Sequence, residues 1–240
     1  ASLTVARDLL PLGYECTIFE QDTKPGGLMR TNIPSFRLPE SVLDEEVFRI
    51  IKMGADLKTN TYIDDLKPLI DDFDAVFVGS GAPKGKDLNL PGRKEAQDNI
   101  HIGIDWLTSI AFEHTKEIGK KVLVIGGGNT AMDCCRSAIR LGAKDVKVTV
   151  RSPFKKMKAS EWEIEEAMEE GIPILDNTSP KEFLLDDAGK LCGMKFDKMI
   201  FEEVDGKSKL VPSGEEVIYE CDDVLLAIGQ DNAFPWIRKD

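Results

Sequence analysis

The sequence predicts an α/β chain in which parallel strands alternate with covering helices, arranged as two related halves with one set inside the other. Three observations carry that prediction. Val122-Leu-Val-Ile125 is an unbroken apolar run that leads into Gly126-Gly-Gly128 and then into a helical pattern. Such a strand is buried on both faces, as strands of parallel sheets are. Next, Asp74-Ala-Val-Phe-Val-Gly-Ser-Gly81 and Asp223-Val-Leu-Leu-Ala-Ile-Gly229 repeat one pattern, each closing a half. Finally, helical spacing at Leu3, Val5, Ala6, Leu9, Leu10 and Leu12 leads through Gly13 into the β-type run Glu15-Cys-Thr-Ile-Phe-Glu20.

Composition sets the outer bounds. With 42% hydrophobic and 31% charged residues the chain can bury a core, which argues against disorder. It holds no run of about 18 apolar residues, so no membrane span is expected. Acidic residues outnumber basic ones 43 to 31, a net charge of −12 that repels polyanions and argues against general nucleic-acid binding. The five cysteines, Cys16, Cys134, Cys135, Cys192 and Cys221, are odd in number and contain no C-x-x-C. Neither a disulfide framework nor a zinc ribbon fits that set, and buried thiols in a reducing compartment are expected. The opening residues lack a basic segment followed by an apolar core, so the expected location is cytoplasmic.

The opening helix and strand match the back half of a dinucleotide-binding βαβ unit, in which the second strand ends in an acid that grips a ribose diol. Glu20 is that acid. The front half, a buried strand and glycine-rich turn, does not precede it, so the chain is expected to be a fragment cut just after its first glycines. A surface helix followed by an edge strand is the competing reading. Thr23-Lys-Pro-Gly-Gly27 is a turn by composition, and Ile33-Pro-Ser-Phe-Arg-Leu-Pro39 is too proline-rich for regular structure. A helix is expected over 41–53 with Ser41 as N-cap, and a short one over 66–71. Asp74–Val78 reads as a buried strand stopped by Gly79-Ser-Gly-Ala82. A polar loop over 84–92 and a helix over 103–116 follow.

Gly126-Gly-Gly128-Asn-Thr-Ala131 fits the pattern G-x-G-x-x-G/A between a buried strand and a helix. Gly126 permits the tight turn, Gly128 lets backbone approach a pyrophosphate, and Ala131 lets helix and strand pack closely. Asn129 and Thr130 open the helix, whose N-terminal N–H groups face the phosphates. Val146–Val150 is the second strand of this unit, and Arg151 follows where the first unit has Glu20. A carboxylate there repels a 2′-phosphate, whereas a guanidinium pairs with it in bidentate fashion. With Ser152, Lys155 and Lys156 behind Arg151, this half reads as an NADP site and the Glu20 half as a site for FAD or NAD. An acidic helix over 160–170 and a short strand over 171–175 come next. Antiparallel hairpins over 181–220 turn at Asp186-Asp-Ala-Gly189 and Asp205-Gly206. A last buried strand over 223–228 ends in Gly229-Gln230.

Four ordered motifs, Gly26-Gly-Leu-Met-Arg30, Ile33–Pro39, Gly126–Asp133 and Ala227-Ile-Gly-Gln230, together resemble the small subunit of NADPH-dependent glutamate synthase. The same module resembles the flavin domain of dihydropyrimidine dehydrogenase and the NADPH subunit of electron-bifurcating transhydrogenases. The resemblance implies two Rossmann-like dinucleotide-binding domains of the two-dinucleotide flavoprotein type. An NADPH domain (100–228) is inserted into an incomplete FAD domain (1–99), to which the chain returns over 229–240. It implies that Glu20 holds the FAD ribose and that Gly26, Gly27, Leu28 and Arg30 pass close to the flavin. Gly79, Gly81 and Ala82 then lie on the FAD side, Gly126, Gly128, Asn129, Thr130, Ala131, Arg151 and Lys156 at NADP(H), and Gly229 and Gln230 at the return. The chain departs from the pattern at Ser2, where a third glycine often stands, and at Lys155-Lys-Met-Lys-Ala159, where relatives often carry acids. The family's closing FAD segment would fall past Asp240.

Hydride transfer between a nicotinamide and a flavin needs little acid–base chemistry from protein. No nucleophile, triad or metal site is therefore expected, and none stands out. His101 and His114 read as isolated surface or capping residues, and Cys134 and Cys135 as packing. Without C-x-x-C there is no dithiol relay of the thioredoxin reductase kind. By resemblance, electrons pass to a partner within a hetero-oligomeric complex through iron–sulfur centres, held in a preceding segment or in a partner subunit. A stand-alone reductase of quinones or disulfides and a non-catalytic nucleotide-binding scaffold remain as alternatives.

Overall fold

The computed structural model describes residues 1–204 and 207–234, which fold as two compact units. One comprises Ala1–Lys84 with the residues from Asp231, the other Gly85–Gln230.

In the first unit, helix α1 (Ser2–Leu9) runs into a 3-10 turn and is stopped by Gly13 at φ +90°. Strand β1 (Thr17–Phe19) follows, then α2 (Leu28–Thr31), α3 (Glu40–Lys52), strand β2 (Asp56–Lys58) and α4 (Lys67–Asp72). β1 and β2 pair in parallel, with Ile18 opposite Leu57. Ala6, Ile18 and Ala55 form a small core with Leu3, Leu10 and Ile51. Two expectations fail here. Ser41 is not the cap of α3: Pro39 holds the non-helical N-cap conformation, and Glu40 and Ser41 already lie in the first turn. Residues 74–78 form no strand, and Phe77 and Val78 are 54% and 43% exposed. A strand needs a neighbour for its ladder and for one face of its side chains. Among the described residues β1 and β2 pair with each other, and no strand pairs with 74–78.

In the second unit, after strand β3 (Lys84–Gly85) at the crossing, the chain forms β4 (Ile100–Ile102), α5 (Gly103–Ala111), β5 (Lys121–Ile125), α6 (Asn129–Arg140) and β6 (Asp145–Thr149). It continues through α7 (Glu161–Glu169), β7 (Ile174–Leu175), β8 (Thr178–Leu185), β9 (Leu191–Val204), β10 (Lys207–Glu220) and β11 (Asp223–Leu226). Strand β12 (Gln230–Asp231) returns beside β3. The main sheet has the order β4-β11-β5-β6-β7 and every described pair in it is parallel. Alternation along the strands splits the core. Val122, Val124, Val146 and Val148 face Trp106, Met132 and Ile164 of the helices. Leu123, Ile125, Val224 and Leu226 face Phe183, Met194 and Phe196 of the antiparallel sheet β10-β9-β8.

Both faces of the parallel strands are thus dry, which is why the apolar run of β5 shows no alternation in sequence. The first hairpin turns at Asp186, whose carboxylate accepts the N–H groups of Ala188 and Lys190 at 2.9 Å. The expected Asp205-Gly206 turn lies outside the described residues. α5 stops at Ala111, short of the expected 116, because Glu113 turns to φ +58° and the N–H groups of His114 and Thr115 return to the Ser109 carbonyl. Cys192, expected to be buried, is exposed. It is the extra residue where Leu184 opposes Gly193 and Leu185 opposes Leu191, and such a bulge turns its side chain out of the pleat.

Candidate nucleotide-binding sites

In the second unit the glycine turn sits between β5 and α6. Gly126 has φ +145°, and its N–H donates to the Thr149 carbonyl at 3.0 Å. A Cβ there would stand 2.2 Å from the Ala227 carbonyl oxygen, so only glycine fits. A Cβ on Gly127 would approach Val150 to 2.9 Å. Gly128 is different: its φ of −107° suits any residue, and a Cβ would meet nothing within 4 Å. Neither backbone nor packing demands glycine at 128, but its bareness leaves the N-terminus of α6 open to close approach. The N–H groups of Ala131 and Met132 already donate to the Gly128 carbonyl at 2.9 and 3.3 Å, so those of Asn129 and Thr130 stand first at the positive end of the helix dipole. Thr130 is half-buried beside Ala131, which is fully buried where helix meets strand.

Arg151 is exposed just past the end of β6. From it the chain runs through a 3-10 turn (Phe154–Lys156), where the Phe154 N–H donates to Asp176 at 2.8 Å. It then folds back onto the glycine turn: Lys158 and Ala159 donate N–H groups to the Gly127 carbonyl at 2.9 and 3.0 Å. The Asn129 side chain, expected at the nucleotide, accepts the Ser160 N–H at 2.8 Å. The Lys156 ammonium lies 4.7 Å over the Phe201 ring. A shared surface therefore joins an open helix N-terminus to a cationic segment.

In the first unit Glu20 follows β1, half-buried, and one of its carboxylate oxygens accepts the Asp22 N–H at 3.1 Å. Burial pushes the Glu20 carboxyl above the ordinary carboxylate value, and does the same to Asp22. The turn at Gly26 (φ +140°) and Gly27 (φ +55°) leads to exposed Leu28. Arg30, expected beside a cofactor, is buried and spent on the protein. Its Nε donates to the Pro25 carbonyl at 2.7 Å, and its terminal nitrogens reach Glu40 at 3.1 Å and Asp44 at 2.6 Å. It thereby ties the glycine turn to α3. Gly79 lets the chain reach the start of α1, since a Cβ would stand 2.1 Å from the Ser2 hydroxyl. Gly81 takes φ +70° and Ala82 is half-buried. Gly229 (φ +119°) accepts the Lys86 N–H at 3.0 Å, just ahead of Gln230.

The family described as pyridine nucleotide-disulphide oxidoreductase matches residues 37–236. The chain belongs to that family. It is 35% identical over 240 residues to the NADPH-Fe(3+) oxidoreductase subunit beta of Geobacter sulfurreducens, with 96% of this chain and 36% of the relative aligned. It is 30% identical to the glutamate synthase [NADPH] small chain of Escherichia coli K12, with 100% of this chain and 54% of the relative covered. The chain thus spans about a third to a half of these curated relatives. Among solved structures, FprA of Mycobacterium tuberculosis in complex with NADPH superposes with a TM-score of 0.78 at 16% identity, covering 95% of this chain and 67% of that one. That likeness establishes the fold: two Rossmann-like domains of the two-dinucleotide flavoprotein type.

Cys134 and Cys135 are buried on α6, which raises the Cys134 thiol far above its usual value and the Cys135 thiol to about 12. Neither is available as a thiolate near neutrality. His101 is not isolated. Its Nε2 lies 3.1 Å from Asp223, whose carboxylate also accepts from Asn99 at 3.2 Å and from the Gly119 N–H at 2.7 Å. This network stands at the start of the parallel strands, the end opposite the glycine turn. A pairing 122 residues apart leaves no local signal in sequence. No helix among the described residues is long and apolar enough to cross a membrane.

Proposed function

We propose that the chain is the dinucleotide-binding part of an FAD-dependent NADPH oxidoreductase subunit, exchanging hydride between NADP(H) and FAD and passing electrons to a partner through iron–sulfur centres. The observation that carries this reading is the opposite charge at equivalent strand ends: Glu20 after β1 and Arg151 after β6. When bound, the nicotinamide and isoalloxazine rings supply the hydride chemistry themselves. The chain binds, orients and excludes water. Gly128 and the first turn of α6, with Thr130 and Ala131, receive the NADP(H) pyrophosphate. Arg151 pairs with the 2′-phosphate, and Lys156 adds charge beside it. Glu20 accepts the ribose hydroxyls of FAD, and the Gly26–Arg30 turn lies along the flavin. Gly79, Gly81, Ala82, Gly229 and Gln230 complete the FAD side, with the NADPH domain running over 100–228.

The elements fit these groups. The turn is open where a phosphate must approach, a bare cation follows β6, and a half-buried acid follows β1. Cys134 and Cys135, buried as thiols on α6, do not serve as a dithiol relay, which supports exit of electrons to a partner in a hetero-oligomeric complex. The relatives' names, a subunit beta and a small chain, support that assembly.

Single-turnover reduction of bound flavin in the full-length protein, followed with NADPH and with NADH, tests the assignment. Arg151→Ala should weaken the NADPH reaction by about 10–100-fold, the worth of a charge-assisted pair, and leave NADH unchanged. Equal wild-type rates with the two nucleotides, unaltered by Arg151→Ala, would remove the NADP reading.

A further inference from the structure

We propose that Asn129 is a positioning residue: its side chain does not bind nucleotide but clamps the cationic segment 151–160 across the phosphate turn, and so sets the preference for a 2′-phosphate. The inference rests on the reading of the second unit as an NADP(H) site. Sequence pattern alone puts Asn129 among the ligands, because it opens the helix behind the glycines. Its amide is already committed. The Oδ1 atom accepts the Ser160 N–H at 2.8 Å and lies 3.5 Å from the Ser160 hydroxyl, and Nδ2 lies 3.4 Å from that hydroxyl. The neighbouring Gly127 carbonyl accepts from Lys158 and Ala159 at 2.9 and 3.0 Å. Three consecutive backbone N–H groups of the segment thus end on two residues of the glycine turn.

The segment needs such a clamp. Arg151, Lys155, Lys156 and Lys158 put four cations within eight residues, and like charges at that spacing push a loop outward. The N–H bonds to Gly127 and Asn129 oppose that repulsion before any anion arrives. A preorganised segment presents Arg151 to the adenosine without the ordering cost that a loose loop would meet on binding. Removing the Asn129 acceptor frees the Ser160 end of the segment. The loss falls on the ligand that uses the cations, an adenosine bearing a 2′-phosphate, and spares the ligand that does not. A residue touching pyrophosphate would instead affect both nucleotides equally, since both carry it.

The clamp can be broken from either side. Asn129→Ala removes the acceptor, and Ser160→Pro removes the donor while keeping the observed φ of −62°, which suits proline. NADP⁺ and NAD⁺ are titrated by fluorescence into full-length wild type and both variants, with circular dichroism to check folding. Each variant should lower the NADP⁺/NAD⁺ affinity ratio by about fivefold, the equivalent of one net hydrogen bond. The double variant should fall no further than either single one. Wild type that prefers NADP⁺, with both variants keeping its ratio, overturns the clamp and leaves the nucleotide reading intact. Asn129→Ala weakening both nucleotides equally makes Asn129 a direct ligand and likewise overturns it. Wild type that binds neither nucleotide overturns the nucleotide reading and this inference with it.

Discussion

Replacing Arg136 with methionine should destabilise the Gly85–Gln230 unit by about 3–5 kcal/mol, the loss expected when one partner of a buried ion pair is deleted. The Arg136 side chain is 8% exposed and that of Glu163 3%. The guanidinium on α6 reaches Glu163, Glu166 and Glu170 on and just after α7, with Nη1 3.3 Å from Glu163 and Nε 2.9 Å from Glu170. Methionine matches the aliphatic stem but strands the Glu163 carboxylate, which keeps the Trp162 indole N–H at 2.7 Å. Buried Trp106 reports unfolding of this unit in urea, and the melting temperature should drop on the order of 10 °C. The pH dependence follows from Glu170, held below the ordinary carboxylate value first by the hydrogen bond from Arg140 and then by Arg136. A depressed carboxyl contributes stability above its unfolded pKa and loses it as pH falls through the folded one. The wild-type advantage should therefore hold from neutrality down to about pH 5 and shrink as pH falls below the ordinary Glu value of about 4.3. A loss below about 1 kcal/mol, or one that stays constant with pH, would refute the assignment of this network as a buried lock.

Three further outcomes follow from the same structure. Gly126→Ala should cost about 2–4 kcal/mol in urea unfolding, because φ and the Ala227 carbonyl both exclude a side chain, whereas Gly128→Ala should fold normally and weaken NADP⁺ about tenfold. Glu20→Gln should flatten a fall in stability with rising pH. Burial raises this carboxyl, so the folded chain holds its proton longer than the unfolded one, and stability declines from the ordinary carboxylate value up through the raised one. In denaturation the gain at neutral pH should stay below about 1 kcal/mol, since the group is half in water, while FAD binding weakens. In native alkylation with iodoacetamide read by mass spectrometry, Cys192 should react while Cys134, Cys135 and Cys221 stay protected until the chain unfolds.

The legible features were those that dictate a residue type at a fixed place in the local sequence, however distant their cause. Gly126 announces itself because no side chain fits beside the Ala227 carbonyl, and β5 because both of its faces are dry. Residues 74–78 carry an equally apolar pattern, yet a strand is a property of two segments, and the pattern cannot say whether the second is beside it. Asn129 and Arg30 show the same limit at the level of a side chain. Residue type and position place both in nucleotide-binding motifs, but the side-chain partners they hold in the fold, Ser160, Glu40 and Asp44, lie outside any motif window. His101 finds Asp223 only through the register of β4 against β11.

One of these concealed contacts, that of Asn129, lies on α6. Its first residue, Asn129, holds Ser160, the N-cap of α7, and one helical face further on Arg136 holds Glu163, Glu166 and Glu170 along the same partner helix. The helix whose N-terminus faces the proposed pyrophosphate therefore fixes α7 at both ends. Since β6 anchors residue 149 in the sheet, the cationic segment hangs between two immobile points and is further pinned beside its Ser160 end by the Gly127 carbonyl. In a chain of net charge −12, four clustered cations would be drawn to the surrounding acids unless so held. The acidic residues of α7 are partly consumed by Arg136 and Arg140, which leaves Arg151 exposed and free to face an incoming phosphate. The ionic lock between the helices and the choice of nucleotide are on this view two consequences of one packing arrangement.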